Sequence, residues 1–327
     1  MKRALITGAL GQDGSYLAEH LLTLGYEVWG TARVQPRVHG HYVQGVHYEY
    51  ADLQDSLSLM KVIRKSTPDE IYNLAGQVFV PNSFFLPAET FDSNVSGLAR
   101  IIRCVEQLQL PARIYQASTS EMFGNVMCGN GIVRLDETVA MNPVSPYGVS
   151  KLAAHKLVDV YRQRGMYIVS GILFNHESPR RGHEMVTRKI TRHVAKWAAG
   201  GKDVLRLGTI TSKRDWGFAG DFVKAMHLML QQERPDDYVI GTGEANSIND
   251  FLNFAIECAG LQGMETMVRK DCPDLARSPE LHTLVADYQK AKVQLGWQPE
   301  HSFRDLVRMM VTADCQEIGL EVACLAK

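Results

Sequence analysis

Between Ala4 and Ala32 the chain runs through an apolar strand, a glycine turn, a helix and a second strand, and that order leaves few folds open. Ala4-Leu5-Ile6-Thr7 is the first strand. Gly8, Gly11 and Gly14 follow at G-x-x-G-x-x-G spacing, Tyr16, Leu17, His20, Leu21 and Leu22 recur at helical intervals, and residues 27–32 are strand-like again. Glycines in such a turn let the backbone approach a pyrophosphate closely. The helix behind them offers amide donors and the positive end of its dipole. Strand, glycine turn, helix and strand within about thirty residues is the context a dinucleotide site requires.

The alternation continues. Strands are expected at 44–50, 70–75, 112–117 and 167–174, with helices at 57–65 and 94–108 and another beginning just after Pro146. This pattern predicts an α/β Rossmann-type doubly wound parallel sheet, in which ligands sit beyond the carboxyl ends of the strands. The glycine turn, Asn73-Leu74-Ala75, Ser118-Thr119-Ser120-Glu121 and Asn175-His176-Glu177 all follow strand ends, so topology brings them to one crevice. After Phe174 the pattern becomes mixed, with a polar loop at 175–182, helices at 187–199, 221–232, 248–259 and 303–313, and a strand at 237–241. We read a first unit over 1–174, with a return near 208–243, and a smaller mixed α/β C-terminal unit over 175–327.

The chain has 327 residues, 35 basic and 36 acidic, for a net charge of −1. That balance argues against nucleic acid as a partner. Its six cysteines are scattered without Cys-x-x-Cys or zinc spacing, which suits a reduced cytoplasmic protein, and no apolar run is long enough for a membrane span. At the end of the second strand an acidic residue would bind a ribose 2′-hydroxyl. Arg33 stands there instead, able to pair with a 2′-phosphate, which favours NADP over NAD.

Tyr147 and Lys151 lie four apart at the start of the helix after Pro146, on one face. A phenol ionises near ~10, too high for a base at neutral pH, and a fixed ammonium beside it is expected to lower that value. The same ammonium can bond a ribose hydroxyl. Glu121 is the carboxylate at the end of the neighbouring strand, where a partly closed site lets a carboxyl group accept and later donate a proton. Thr119 is placed to bond the same substrate hydroxyl as Tyr147. Arg180, Arg181, Arg188, Lys189, Lys213, Arg214 and Arg277 form a basic set that suits a diphosphate-bearing substrate.

These motifs resemble the extended short-chain dehydrogenase/reductase superfamily and, within it, the GDP-mannose 4,6-dehydratase family. The resemblance rests on Thr7-Gly8-x-x-Gly11-Gln12-Asp13-Gly14-Ser15-Tyr16-Leu17-Ala18, Tyr72-Asn73-Leu74-Ala75, Tyr115 to Met122 and Ser145-Pro146-Tyr147-Gly148-Val149-Ser150-Lys151. It rests also on Gly171 to Gly182, Val186 to Thr191 and Lys213-Arg214-Asp215-Trp216-Gly217. It implies that Tyr147 is the base, tuned by Lys151, with Thr119 and Glu121 completing the catalytic set. It implies NADP held by Gly8, Gly11, Gln12, Asp13 and Gly14 at the pyrophosphate, Arg33 at the 2′-phosphate, Asp52 and Leu53 on the adenine side, and Leu74, Ala75, Gly76 and Gln77 centrally. Lys151, His176 and Arg181 are further cofactor contacts by the same resemblance. Asn175, Lys189, Arg214, Arg277 and Glu280 would bind the GDP-sugar.

The implied reaction is an internal redox cycle: hydride leaves sugar C4 for NADP as Tyr147 takes the 4-hydroxyl proton. Glu121 then moves the C5 proton to the departing C6 hydroxyl, and hydride returns to C6. A 4-reductase, an epimerase, or a dehydratase of another nucleotide sugar such as a GDP-heptose remains open at this point. The resemblance also implies a homodimer or homotetramer and a soluble cytoplasmic enzyme. Three features depart from the family pattern. Val34 and a short loop follow Arg33 where a longer Arg-Arg segment helps build a tetramer. The run 125–135 is longer than expected beside the active site. Ala276-Arg277-Ser278-Pro279-Glu280 replaces a Phe-Arg-Pro-x-Glu order.

Overall fold

A computed structural model describes residues 1–34, 40–126, 133–272, 275 and 283–320. Seven parallel strands form the main sheet: β1 (Arg3–Thr7), β2 (Glu27–Ala32), β3 (His47–Tyr50), β4 (Glu70–Asn73), β5 (Arg113–Thr119), β6 (Ile168–Leu173) and β7 (Asp237–Ile240). Their order, β7-β6-β5-β4-β1-β2-β3, reverses direction at β1, so the crevice opens between the ends of β1 and β4. The doubly wound parallel sheet is as expected. Individual boundaries differ by a few residues, most at β3, which begins at His47 rather than 44.

Side chains alternate across the sheet with period two. Ile6, Tyr72, Tyr115 and Val169 face α1 (Gln12–Thr23) and the helix Ala219–Leu230, whereas Leu5, Ile71, Ile114 and Ile168 face the helices Ser56–Ser66, Gly97–Gln107 and Pro146–Gln163. Both faces are covered, which is why the strands read as nearly continuous apolar runs. The edge strand β7 is also covered, because Glu137 Oε1 accepts from Val239 N at 2.7 Å.

The second half contributes its own core from the helices Val186–Ala198, Ile248–Cys258 and Phe303–Glu317. The two halves exchange strands: Arg134–Leu135 joins a four-stranded sheet with Asn246–Ser247, Lys213–Arg214 and Thr283–Ala286, while β7 completes the main sheet. Asp215 ties them together. Its carboxylate accepts from Thr242 N and Oγ1 at 2.7 Å, Gly243 N at 2.8 Å and Ala286 N at 3.0 Å.

Two members of the expected basic set turn out to be structural. Arg188 is buried and donates to Asp314 Oδ1 at 2.7 Å and to Pro179 O, joining two helices of the second core. Arg180 reaches back to α1, bonding Ser15 Oγ at 3.0 Å and Glu19 Oε1 at 2.6 Å and lying 4.0 Å over the Tyr16 ring. Removing one partner of a buried pair strands the other charge. Asp314→Ala is therefore expected to cost ~3 kcal/mol of stability, read as a lower denaturant midpoint at unchanged slope. An unchanged midpoint would show that Glu317, 3.8 Å from Arg188, takes over the pairing.

Candidate active site

The turn after β1 is built for close approach. Gly8 has φ +71°, and a Cβ there would sit 3.1 Å from Ala75 Cα. Helix α1 is preceded by Gly11 as N-cap with no side-chain hydrogen bond, so its first-turn amides are left without a side-chain cap just after β1. Thr7 Oγ1 accepts from Leu74 N and Ala75 N, both at 3.1 Å, and donates to Asn73 Oδ1 at 2.8 Å; Asn73 Nδ2 then donates to Gln116 Oε1 at 2.7 Å. This polar ladder fixes the ends of β1, β4 and β5 against one another.

At the end of β5 the chain makes a single 3-10 turn, Ser120–Met122, in which Thr119 Oγ1 accepts from Glu121 N at 3.3 Å. The helix Pro146–Gln163 starts against that turn. Ser145 caps it, its hydroxyl accepting from Gly148 N at 3.0 Å, and proline occupies the first turn. A Cβ on Gly148 would come within 2.9 Å of Glu121 O, so only glycine allows this approach. Tyr147 is thereby brought to Thr119, whose hydroxyl lies close enough to lower the phenol's pKa.

Thr119, Glu121, Tyr147 and Lys151 line one cavity of about 400 Å³ together with Asp13, Leu74, Asn175, His176, Arg181, Lys189 and Arg214. That volume suits a small-molecule ligand. The remaining cofactor candidates follow the strand ends outside it. Arg33 Nη1 lies 3.7 Å from Asp52 Oδ2, Leu53 is buried beneath Gly97, and the Gly76-Gln77 backbone is held by Asn94. Arg277 and Glu280 lie outside the described residues, as do residues 127–132 of the long run at 125–135.

Lys151 is not among the groups that lower the Tyr147 phenol, contrary to the expected tuning. Burial pushes the phenol up to about 12, the Thr119 hydroxyl works against this, and Glu121 adds to it. Lys151 Nζ lies 5.9 Å from the centre of the Tyr147 ring and donates to Ala117 O at 3.0 Å. Its own pKa is drawn down from 10.5 to about 8 by burial. Burial drives both groups toward their neutral forms, so the expectation from spacing fails on desolvation.

A basic group with a depressed pKa costs stability while protonated, and that cost fades as pH rises from 8 toward the unfolded value. Lys151→Met removes the cost together with one hydrogen bond. The ligand-free protein should gain roughly 1–3 kcal/mol at pH 7, with the gain shrinking between pH 8 and 10.5. Melting temperature followed against pH checks this, and a lower value at pH 7 would refute it.

Several contributors escaped the sequence reading. Residues 175–182 were expected to be loop, yet Asn175–Glu177 pairs as a parallel strand with Trp216–Phe218, fixing Asn175 beside the Arg214 segment. The pairing involves three residues, too few for periodicity to show. Asn94 Oδ1 accepts from Gln77 N at 2.9 Å and its Nδ2 donates to Ser150 Oγ at 3.0 Å, joining the turn after β4 to the Tyr147 helix. It sits in a π-helical turn, Asp92–Ser96, a feature frequent at functional sites. Arg206 and the apolar segment Val78 to Pro81 also line the cavity. The Leu205-Arg206-Leu207 alternation was a visible signal for the first, and nothing marked the second.

The family model described as GDP-mannose 4,6 dehydratase matches residues 5–310. The chain is 41% identical to GDP-mannose 4,6 dehydratase 1 of Arabidopsis thaliana over 336 residues, covering 96% of this chain and 90% of that one. It is 40% identical to the Homo sapiens GDP-mannose 4,6 dehydratase, covering 96% and 91%. Among solved structures, the UDP-glucose 4-epimerase of Thermus thermophilus in complex with NAD superposes with a TM-score of 0.84 at 27% identity, covering 95% and 98%. Similarity of this extent, running through every strand of the sheet and through the turns that carry Thr119, Glu121, Tyr147 and Lys151, makes the chain a member of the GDP-mannose 4,6-dehydratase family.

Proposed function

We propose that this protein dehydrates GDP-mannose to the GDP-4-keto-6-deoxy sugar with NADP as a returning hydride carrier. The observation that carries the reading is the meeting of Thr119, Tyr147 and Glu121 in one cavity, a phenol with a hydroxyl and a carboxylate beside it. A phenol alone serves a 4-epimerase or 4-reductase; the extra carboxylate is what elimination across C5 and C6 demands. The names of the curated relatives support the substrate, and the NAD complex of the epimerase supports a nicotinamide cofactor.

The residues fit such a cofactor. The close Gly8–Ala75 backbone approach and the uncapped start of α1 suit a diphosphate. The buried Gln77 Oε1, without a hydrogen-bond partner among the described residues, suits a polar ligand group. We assign the pyrophosphate to the backbone from Gly8 to Gly14, the adenine side to Asp52 and Leu53, the centre to Leu74 to Gln77, the nicotinamide side to Lys151 and Arg181, a place beside the pyrophosphate turn to His176, and a 2′-phosphate to Arg33. Asn175, Lys189 and Arg214 are assigned to the sugar nucleotide, with Arg277 and Glu280.

The bound nicotinamide would take hydride from C4 and give it back at C6. Tyr147 accepts the 4-hydroxyl proton, helped by the Thr119 hydroxyl. Glu121 removes the C5 proton, acidified by the new ketone, and delivers it to the C6 hydroxyl, which departs as water. The proton kept on Tyr147 then returns to C5, which closes the balance with no net change in cofactor. Incubation with NADP and a panel of nucleotide sugars, followed by mass, tests this. GDP-mannose should lose one water at constant NADPH; a product of unchanged mass, or net NADPH consumption, would overturn it.

A further inference from the structure

The first turn of α1 carries a carboxylate, Asp13, beside the amides meant for an anion. Left bare, it would repel a diphosphate. It is not bare. Asp13 Oδ2 lies 2.8 Å from His176 Nε2, and its Oδ1 accepts from Gln12 Nε2 at 3.0 Å. The other ring nitrogen, His176 Nδ1, lies 2.8 Å from Phe174 O. A carbonyl and a carboxylate can only accept, so each imidazole nitrogen must donate, and a ring with two N–H groups is an imidazolium.

The ring is fixed in that pose. It stacks on Phe222 with centroids 4.7 Å apart and planes at 25°. The Gln12 side chain is committed as well, donating to His176 O at 3.1 Å and accepting from Ser178 Oγ at 2.8 Å. Both side chains of the Gln12-Asp13 pair therefore face the segment 176–178. The charged neighbours agree with the protonation state. Burial disfavours charge on His176, but Asp13 outweighs it and the histidine is raised; on Asp13 burial is likewise overcome by His176, and the carboxyl is lowered. Arg181 also faces the pair, opposing the imidazolium and favouring the carboxylate, and Lys151 lies close enough to Asp13 to feel its charge.

We propose that His176 is a built-in counter-ion that cancels the Asp13 charge and makes the glycine turn hospitable to a diphosphate, with Gln12 and Asp13 acting as positioning residues and only their backbone meeting the anion. This rests on the reading of the turn as a dinucleotide site. It differs from a direct His176 contact in one measurable respect. If His176 acts through Asp13, removing the carboxylate removes the need for the histidine.

The test is NADP binding to the full chain by calorimetry as a double-mutant cycle. His176→Gln in the otherwise unaltered chain should weaken NADP roughly 30-fold or more, because a charge is left uncompensated at the site. In a chain already carrying Asp13→Asn, the same histidine replacement should cost less than about 5-fold. An equal cost on both backgrounds would overturn the proposal, as would no cost on either. Should His176→Gln fail to fold, nitrogen NMR of the protein without added nucleotide serves instead: both ring nitrogens of His176 should read as protonated at about pH 6.5, and a neutral tautomer there would refute the counter-ion. Absence of NADP and NAD binding to the unaltered protein would remove the dinucleotide reading itself, an outcome distinct from either result of the cycle.

Discussion

Tyr147→Phe should stop the reaction before any hydride moves. No reduced nicotinamide should form in a single turnover with GDP-mannose, and kcat should fall ~10³-fold or more. The reason is local. The sugar 4-hydroxyl must lose its proton as C4 is oxidised, and the phenol is the group that faces the cavity beside Thr119 at the end of β5. Burial pushes that phenol up to about 12, so it needs positive charge nearby to act as a base. Lys151, one helical turn on and donating to Ala117 O at 3.0 Å, is the ammonium placed to supply it. Substrate affinity should change little, since the hydroxyl removed acts chiefly in the transition state. Normal cofactor reduction by the phenylalanine variant would exclude Tyr147 as the base.

The large sheet was legible from the chain because parallel strands buried on both faces and helices buried on one leave different periods, and Ile6, Tyr72, Tyr115 and Val169 carry that signal clearly. The reacting groups were legible for a related reason. Thr119, Glu121, Tyr147 and Lys151 follow strand ends or open a helix, and topology alone sends such positions to one crevice. What stayed hidden depends on tertiary packing. Nothing in Arg180 or Arg188 says that one guanidinium will lie over Tyr16 and the other be sealed against Asp314. Spacing puts Lys151 near Tyr147 but does not weigh their attraction against the desolvation both undergo. The short helices Val80–Phe85 and Pro87–Phe91 were missed because each begins at or next to a proline and is too brief for amphipathic periodicity to register.

Glu121→Gln should stop the same cycle one step later, and the contrast with Tyr147→Phe is what separates their roles. Glutamine keeps the size and the hydrogen-bonding reach of the side chain but cannot take a proton from C5. Oxidation at C4 needs only the phenol and the cofactor, so reduced nicotinamide should appear, up to one equivalent per site, and then persist. Water should not be lost, and product formation should fall ~10³-fold or more. Binding of the nucleotide sugar should be nearly unchanged, because the substitution leaves in place the cationic side chains assigned to it, Lys189 and Arg214, which line the same cavity. The geometry supports this division of labour. Glu121 is held just beyond the strand end by the 3-10 turn on Thr119, close enough to Tyr147 to raise its pKa, so both groups border the same small volume. A phenol and a carboxylate at that separation can attend to different carbons of one ring. If the glutamine variant turns over normally, Glu121 has no part in the elimination. If it never reduces the cofactor, its carboxylate is needed already at C4, and the two-step assignment must be redrawn.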